Sequence, residues 1–374
     1  MSEAGIIEPN DWEHGDFGEL EGWQILETVD LGEWESDPPD RQFAWGTWLP
    51  LKQTTMLTGM GGVGKSLLAQ MLASAVAIGK PFLGMDTSPM RVLYITCEDD
   101  TEELHRRQKA INTALECTLE QLDDSLFLAS WTGETDTAIA KFDPDLKLEP
   151  TARWHQIKGF ASAMGVRLVI FDNVTDAMAG DMNDVHQVAQ FVNLFTGLAI
   201  ERNGAVLLLH HPNKASDDWL GSVAWHNKVR SRLLLKAGDR DGDPDLRRLI
   251  NPKANYGPQG GEVLARWHQG AFVLDSDLPE DQRGELEATA RANADNQIFL
   301  ACLRVRTEQR RAVSESSSPT FAPGVFEEMP ESKGIGRKRL RAAMERLFRT
   351  GQIERAYLWK SDSRKDVYGL REVE

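Results

Sequence analysis

The feature that most constrains this chain is a glycine-rich segment, Gly59-Met60-Gly61-Gly62-Val63-Gly64-Lys65-Ser66, which fits the pattern G-x-x-x-x-G-K-[ST]. It follows the β-branched and apolar run 54–58 and precedes the helix-forming run 66–78, so it lies where a strand turns into a helix. Glycines there let successive backbone N–H groups point toward a phosphate, and the helix N-terminus adds positive potential. The segment therefore predicts a nucleotide-binding loop in an α/β fold.

Each polar residue of this loop has an expected task. Lys65 is placed to reach the β- and γ-phosphates, and the Ser66 hydroxyl to ligate Mg²⁺. ATP and Mg²⁺ are therefore the predicted substrate and cofactor. The predicted nucleotide-binding residues are Gly59, Met60, Gly61, Gly62, Val63, Gly64, Lys65, Ser66 and Leu67.

From residue 48 to about residue 274 the sequence alternates between strand and helix patterns. Continuous apolar strands separated by helices indicate a mostly parallel sheet with helices on both faces. After residue 231 the pattern changes to consecutive short strands, which indicates an antiparallel extension. A helix, then a basic helix, then two β-rich runs close the chain, in the order expected of a small winged helix-turn-helix.

These patterns divide the chain into four parts. Residues 1–44 form an acidic, Trp-rich extension, residues 45–276 the α/β ATPase domain, residues 277–294 a polar linker, and residues 295–374 the winged-helix-like domain. At about 150 residues per domain, 374 residues are enough for two domains with extensions.

Acidic residues end two of the apolar strands. Asp172 follows the run 168–171, where a carboxylate beside the phosphate loop can hold the Mg²⁺ shell. Glu98, Asp99 and Asp100 follow the strand 92–97, and one of these acids is a candidate to orient or deprotonate the attacking water. A solvated charge run that starts the next helix is the alternative.

A histidine pair, His210-His211, ends a third apolar strand, 205–209. One imidazole at that edge could sense the γ-phosphate through a hydrogen bond and pass that state to the following loop. A structural or capping pair is the alternative. A metal site is not expected here, since no Cys/His cluster has the spacing for it.

The charge of the chain, −16, is unevenly distributed. Residues 1–40 hold thirteen Asp or Glu and no Lys or Arg, together with three tryptophans, and could be a solvated tail or a segment that folds onto a protein partner. Residues 331–374 carry a net charge of +5, which favours nucleic-acid binding by the later part of the chain. Without an apolar run of membrane length or a leader pattern, the protein is expected to be cytoplasmic and not in a membrane.

Residues 45–275 resemble the RecA-type ATPase core, and most closely the RepA-type hexameric replicative helicases of plasmids and related mobile elements. Beside the phosphate loop, the matching segments are Trp48-Leu49-Pro50, Tyr94-Ile95-Thr96-Cys97-Glu98-Asp99, Ile170-Phe171-Asp172-Asn173, Gly180-Asp181-Met182-Asn183, His210-His211-Pro212-Asn213-Lys214, Gly221-Ser222, Arg230 and Lys253-Ala254-Asn255-Tyr256-Gly257.

The resemblance implies roles for particular residues. Glu98 would be the catalytic base, Asp172 would act on Mg²⁺, and His210 and His211 would be the sensor. Arg230 would be an arginine finger that reaches the ATP of a neighbouring subunit. Because Lys228-Val229 stands where the family commonly has two small residues, the finger is left open between Arg230, Arg232, Lys228 and Lys253.

The resemblance also implies contacts with DNA. Single-stranded DNA would pass through the ring channel, where Lys214 could contact the phosphate backbone, although Asp217 and Asp218 oppose this, and Trp219 could equally stack on a base or pack. Duplex could be bound by the basic helix near the carboxyl end, through Arg337, Lys338, Arg339 and Arg341, for which a solvated helix face is the alternative.

Two function classes follow. The first is an ATP-dependent, ring-forming DNA helicase or translocase that acts in the replication of a mobile element. The second is a non-unwinding ATPase of the same fold, such as a recombination mediator or an ATP-switched DNA-binding regulator. A partner-loading adaptor that binds another protein through the acidic extension is a third reading.

Overall fold

The computed structural model describes residues 28–34, 37–211, 223–238, 243–361 and 364–373. Most of the acidic extension, including Trp12 and Trp23, therefore lies outside the described residues, as do Lys214, Asp217, Asp218 and Trp219. Residues 41–374 form one compact unit. In the described residues before it, a 3-10 turn spans Leu31–Glu33, and the Asp30 side chain accepts a hydrogen bond from the Gly32 backbone N–H.

A nine-stranded sheet is the centre of the compact unit. The order of its strands is β14-β13-β12-β11-β3-β10-β8-β4-β5, and the strands from β11 to β5 pair in parallel. Its strands are β3 (Thr54–Thr58), β4 (Val92–Thr96), β5 (Leu126–Ser130), β8 (Leu168–Asp172), β10 (Ala205–His210), β11 (Ser231–Ala237), β12 (Leu246–Ala254), β13 (Gly261–His268) and β14 (Ala271–Leu274).

The parallel α/β sheet is confirmed, and so is the antiparallel extension after residue 231, since β12, β13 and β14 pair antiparallel beside β11. The parallel strands are buried along their whole length wherever both faces are covered, as in β3, β4 and β8. This burial is why their sequences read as continuous apolar runs without alternation.

Two two-stranded sheets, a three-stranded sheet and the helices complete the described part of the unit. The remaining strands are β1 (Phe43–Trp45), β2 (Leu49–Pro50), β6 (Ala140–Phe142), β7 (Leu148–Pro150), β9 (Met178–Ala179), β15 (Ile353–Lys360) and β16 (Asp366–Glu372). The helices are α1 (Lys65–Ile78), α2 (Thr101–Ala114), α3 (Leu119–Leu122), α4 (Ala152–Ala163), α5 (Val174–Ala177), α6 (Val185–Glu201), α7 (Val223–Lys228), α8 (Glu280–Glu308), α9 (Ala322–Phe326) and α10 (Arg337–Arg349). Of the helices that the structure describes, none is long and apolar enough to cross a bilayer.

Two apolar clusters cover the two faces of the sheet. On one face, α1 packs with small and aliphatic side chains, and on the other α6 contributes an aromatic row that includes Phe191 and Phe195. Twelve of the fourteen residues of α1 are buried, so the helix that follows the glycine-rich loop is enclosed by protein. A helix held in this way gives the loop a fixed base.

The carboxyl-terminal residues have an apolar cluster of their own, drawn from residues 299–370. Helix α8 covers most of the polar stretch 277–294, which composition marks as a linker, and continues through the helix expected over 296–305. The physical reason is that residues 280–298 are rich in Glu, Ala and Arg, which favour helix as strongly as they favour solvent. Helix α10 and the β15–β16 hairpin follow in the expected order.

Candidate nucleotide site at the carboxyl edge of the sheet

The glycine-rich loop joins the end of β3 to the start of α1. Gly64 is the residue before the helix and has a φ of 102°, and Gly62 has a φ of 75°. A Cβ atom on Gly64 would lie 2.6 Å from Cζ of Phe272, and one on Gly59 would lie 2.5 Å from the carbonyl oxygen of Leu235. Glycine is thus required both by the backbone conformation and by the strands packed behind the loop.

The Lys65 ammonium group folds back over this loop. Its Nζ atom donates to the carbonyl oxygens of Gly59 at 2.8 Å and Met60 at 3.1 Å, and lies 3.1 Å from Nδ1 of His211. Burial lowers the pKa of Lys65, while the carboxylates of Asp172 and Glu98 oppose that change. A lysine held by two carbonyls and one imidazole has its charge in place for an anion in the loop.

Asp172 ends β8 and is 1% exposed. Tyr94, on the neighbouring strand β4, donates from its hydroxyl to Oδ2 of Asp172 at 2.9 Å. Among the residues that the structure describes, Oδ1 has no hydrogen-bond partner. Burial raises the pKa of Asp172 to about 6, although the neighbouring hydroxyls of Ser66 and Tyr94 lower it.

The donor set around Asp172 suits Mg²⁺. The described residues include no group of three or more His, Cys, Asp or Glu side chains that could hold a metal by themselves. Mg²⁺ in nucleotide sites is instead held by one or two protein oxygens together with substrate phosphates. The unpartnered Oδ1 of Asp172 and the adjacent Ser66 hydroxyl fit that requirement.

The structure distinguishes the three acids that follow β4. Asp99 pairs with the Arg107 guanidinium through both oxygens, at 2.5 and 2.9 Å. Asp100 caps the N-terminus of α2 by accepting from the Glu103 N–H at 2.7 Å. Glu98 instead contacts the residues beside the loop, so it is the acid of this run that remains directed at the nucleotide site.

Two side chains hold the Glu98 carboxylate. Asn173 donates from Nδ2 to Oε1 at 2.5 Å, and Nε2 of His211 lies 3.1 Å from the same oxygen. Because the Lys65 ammonium can only donate, Nδ1 of His211 accepts and its Nε2–H donates to Glu98. Lys65, His211 and Glu98 therefore form one continuous chain of hydrogen bonds.

The two histidines have different environments. His210 is buried, its ring stacks on Trp225 with centroids 5.4 Å apart, and burial lowers its pKa to about 4. It is therefore neutral near pH 7 and belongs to the core. His211 is partly exposed and contacts both Lys65 and Glu98, which makes it the sensor candidate of the pair.

Arg230 lies away from its own nucleotide loop. It precedes β11, whose first residue Ser231 pairs in parallel with Thr55 near the start of β3, while the loop begins after Thr58. Thr55 and Gly59, where the loop begins, are four residues apart along the strand direction. At about 3.3 Å per residue, this distance is more than 10 Å. Arg230 is exposed at that far end, so it does not reach the loop of its own chain.

The other finger candidates are held inside this chain. Arg232 is 2% exposed, and its Nη2 lies 3.5 Å from the Thr58 hydroxyl. Lys253, on β12, is the backbone register partner of Arg232 on β11, and its ammonium donates to the Asn227 carbonyl at 3.4 Å. Lys228 is half-buried. Of these four cations, Arg230 is the one that the structure places on the surface.

The four cations predicted to bind duplex DNA lie far from this site in sequence, on α10. Three of them make ion pairs: Arg337 with Glu327, Arg339 with Asp295 and Arg341 with Glu345, at 3.0, 2.7 and 3.0 Å. Lys338 is exposed. Much of the positive charge read from the sequence is therefore neutralised within the chain.

Tyr94 and Asn173 are neighbours of the site that were not predicted from the sequence, although they belong to the matching segments 94–99 and 170–173. A phenolic hydroxyl in a fully buried strand needs a hydrogen-bond partner, and this was the available signal for Tyr94. Asn173 follows Asp172 directly, so a position at the same sheet edge was implied. The carboxylate that each side chain contacts, Asp172 for Tyr94 and Glu98 for Asn173, is decided by which strands are neighbours in the sheet.

A family model described as an AAA domain matches residues 24–217, slightly more than half of the chain. The matched range includes the loop 59–66, Glu98, Asp172 and the histidine pair. It ends before Arg230, the antiparallel extension and the carboxyl-terminal cluster.

Proposed function

The chain belongs to the AAA domain family, and from this premise we propose that it is a ring-forming ATPase that moves along or unwinds DNA. Family membership establishes that the chain contains a P-loop ATPase domain. The proposed motor activity is supported by the side chains around the loop and by the position of Arg230.

The observation that carries the proposal is the hydrogen-bond chain Lys65–His211–Glu98. Lys65 lies where the terminal phosphates of ATP would enter, and Glu98 where a water would attack. A phosphate that attracts the Lys65 ammonium removes one partner of His211, and the imidazole then changes its contact with Glu98 and with the residues that follow it. The arrangement links the state of the nucleotide to the loop after β10.

Hydrolysis can be written on these residues. The oxygen of a water attacks the γ-phosphorus, the bond to the β–γ bridging oxygen breaks, and the water proton passes to the carboxylate of Glu98. Asn173 holds that carboxylate in place, and Lys65 offsets the charge on the phosphates. Mg²⁺, held by Ser66 and Asp172, would neutralise phosphate charge.

The position of Arg230 supports action across a subunit interface. A cation at the far end of the strands cannot serve its own loop but can serve the loop of the next subunit in a head-to-tail ring. We propose a homo-oligomer, as a hexamer, in which Arg230 completes the neighbouring site. Hydrolysis would then depend on assembly.

DNA is the proposed partner. Single strands would pass through the ring channel beside Lys214, and duplex would be met by the carboxyl-terminal unit, whose helix α10 and following hairpin match the order of a winged helix. The acidic extension is proposed to bind a protein partner. Replication of a mobile element is the proposed setting, on the strength of the resemblance to RepA-type helicases.

The neutralised cations on α10 favour the second candidate, a non-unwinding ATPase of the same fold, such as a recombination mediator or an ATP-switched DNA-binding regulator. The deciding experiment measures ATP turnover with and without single-stranded DNA beside strand displacement on a forked duplex, with Lys65→Ala as the matched control. Turnover stimulated by DNA together with displacement supports the motor. Stimulation without displacement selects the second candidate. No turnover above the Lys65→Ala control contradicts both.

A further inference from the structure

Arg247 contacts the nucleotide loop from outside the region that the family model covers. It lies on β12, in the antiparallel extension, and its Nε donates to the carbonyl oxygen of Val63 at 2.8 Å. Its Nη1 donates to the carbonyls of Pro244 at 2.5 Å and Leu246 at 2.9 Å, so the guanidinium is held on both sides.

The contact controls the orientation of one peptide group. In a trans peptide, the carbonyl of one residue and the N–H of the next point in opposite directions. The peptide between Val63 and Gly64 is trans, since the one cis bond recorded in the described residues joins Asp172 and Asn173. With the Val63 carbonyl directed at Arg247, the Gly64 N–H points to the opposite side, where the loop encloses its anion.

Packing against the extension constrains the same part of the loop. The Phe272 ring of β14 lies so close to Gly64 that a Cβ there would be 2.6 Å from Cζ. Val63 is itself buried. The extension therefore holds the loop at two consecutive residues, by a hydrogen bond at Val63 and by an aromatic contact at Gly64.

We infer that Arg247 is a positioning residue for phosphate binding: it orients the Val63–Gly64 peptide so that the Gly64 N–H faces the bound nucleotide. The inference rests on the proposed nucleotide binding and adds a residue that neither the loop pattern nor the family match includes. Arg247 touches no substrate. It acts through one backbone N–H that contacts a phosphate not broken in the reaction.

Two substitutions of nearly equal length separate the hydrogen bond from the rest of the side chain. Arg247→Met removes every donor. Arg247→Gln places an amide N–H the same number of bonds from Cα as Arg Nε, without the charge. Arg248→Met is the matched control, because Arg248 is the next residue of the strand and pairs with Glu262 at 2.7 and 2.9 Å.

The expected result is a loss of phosphate affinity that the Gln variant rescues. Arg247→Met should bind ADP, ATP and pyrophosphate about ten-fold more weakly, the usual effect of one lost hydrogen bond to a charged group. Adenosine binding should stay unchanged, whereas the unfolding temperature of Arg247→Met should fall slightly, because the carbonyls of Pro244 and Leu246 also lose their donor. Because ground state and transition state lose the same contact, KM for ATP should rise while kcat stays near wild type.

The titrations, by calorimetry on the full chain, separate failure of the inference from failure of the proposed function. If the wild type binds none of the three phosphate compounds, nucleotide binding itself is wrong. If the wild type binds them and Arg247→Met binds them equally well, or Arg247→Gln loses as much as Met, the Val63 bond does not position the loop. Equal weakening in Arg248→Met also overturns the inference.

Discussion

The Tyr94 hydroxyl donates a hydrogen bond to Oδ2 of Asp172 at 2.9 Å, between two neighbouring strands that are buried along their whole length. The two residues are 78 positions apart in the chain. The register of β4 and β8 places Tyr94 opposite Ile170, so its long side chain extends along the sheet toward the carboxylate. This bond is one of two side-chain contacts that oppose the effect of burial on the pKa of Asp172.

Tyr94→Phe should move the acid limb of the ATPase pH profile upward. Burial already raises the pKa of Asp172 to about 6, and loss of the Tyr94 hydrogen bond, which lowers that pKa, raises it further. Since the carboxylate form is needed, kcat/KM of the wild type should fall as the pH drops through about 6, and that of the variant should begin to fall at higher pH. The measurement is kcat/KM between pH 5 and 8. An unmoved limb with normal thermal stability would show that Asp172 is not the titrating group.

Glu98→Gln should bind ATP and lose turnover. The amide keeps the size of the side chain and can still bond to its neighbours, but it cannot take a proton from water. A loss of about 10²–10⁴-fold in kcat is expected. Asp99→Asn is the matched control, because Asp99 is paired with Arg107 and should affect turnover much less. Loss of ATP binding in the Glu98 variant would instead indicate a structural role.

Arg230→Ala should bind ATP and assemble, yet turn over about 10³–10⁵-fold more slowly, the range typical of arginine fingers. Mixing it with Lys65→Ala should restore part of the activity, because some interfaces then pair an intact loop with an intact arginine. The assay is turnover of the mixture, with co-assembly checked by size-exclusion chromatography. Co-assembly without restored turnover would contradict action in trans by Arg230.

Arg339→Ala should destabilise the fold around the carboxyl-terminal apolar cluster, whether or not the protein binds DNA. Its partner Asp295 is 4% exposed, and without Arg339 that carboxylate is buried without its ion pair. A loss of about 1–3 kcal/mol is expected. Arg341→Ala, which breaks an exposed pair with Glu345, should cost about 0.5 kcal/mol or less. Chemical denaturation measures both, and equal costs would show that the Asp295 pair adds nothing.

The same comparison separates stability from DNA binding. Lys338 is exposed on the same helix, so Lys338→Ala tests charge without disturbing the fold. If α10 binds DNA, Lys338→Ala and Arg341→Ala weaken that binding at unchanged stability, and the effect shrinks at higher salt. Unchanged affinity in both variants would contradict DNA binding by this helix.

The sequence by itself determined the local chemistry of the loop and the type of sheet. Three adjacent requirements, glycine at positive φ, a lysine and a hydroxyl at the start of a helix, are written in consecutive residues, so the pattern 59–66 was sufficient. Continuous apolar runs such as 168–171 likewise predicted strands that are buried on both faces of the sheet. Both patterns consist of consecutive residues, so neither prediction requires knowledge of a residue that is distant in the sequence.

Tertiary structure decided which side chains meet. The order of the strands brings β4, β8, β10 and β3 together, and with them Glu98, Asp172, His211 and Lys65. It also selected Glu98 over Asp99 and Asp100 by giving those two acids other partners, and it put Arg247 of the extension against the loop. Residue spacing holds no information about these contacts, because the partners are up to 184 positions apart and their meeting depends on strand order and register.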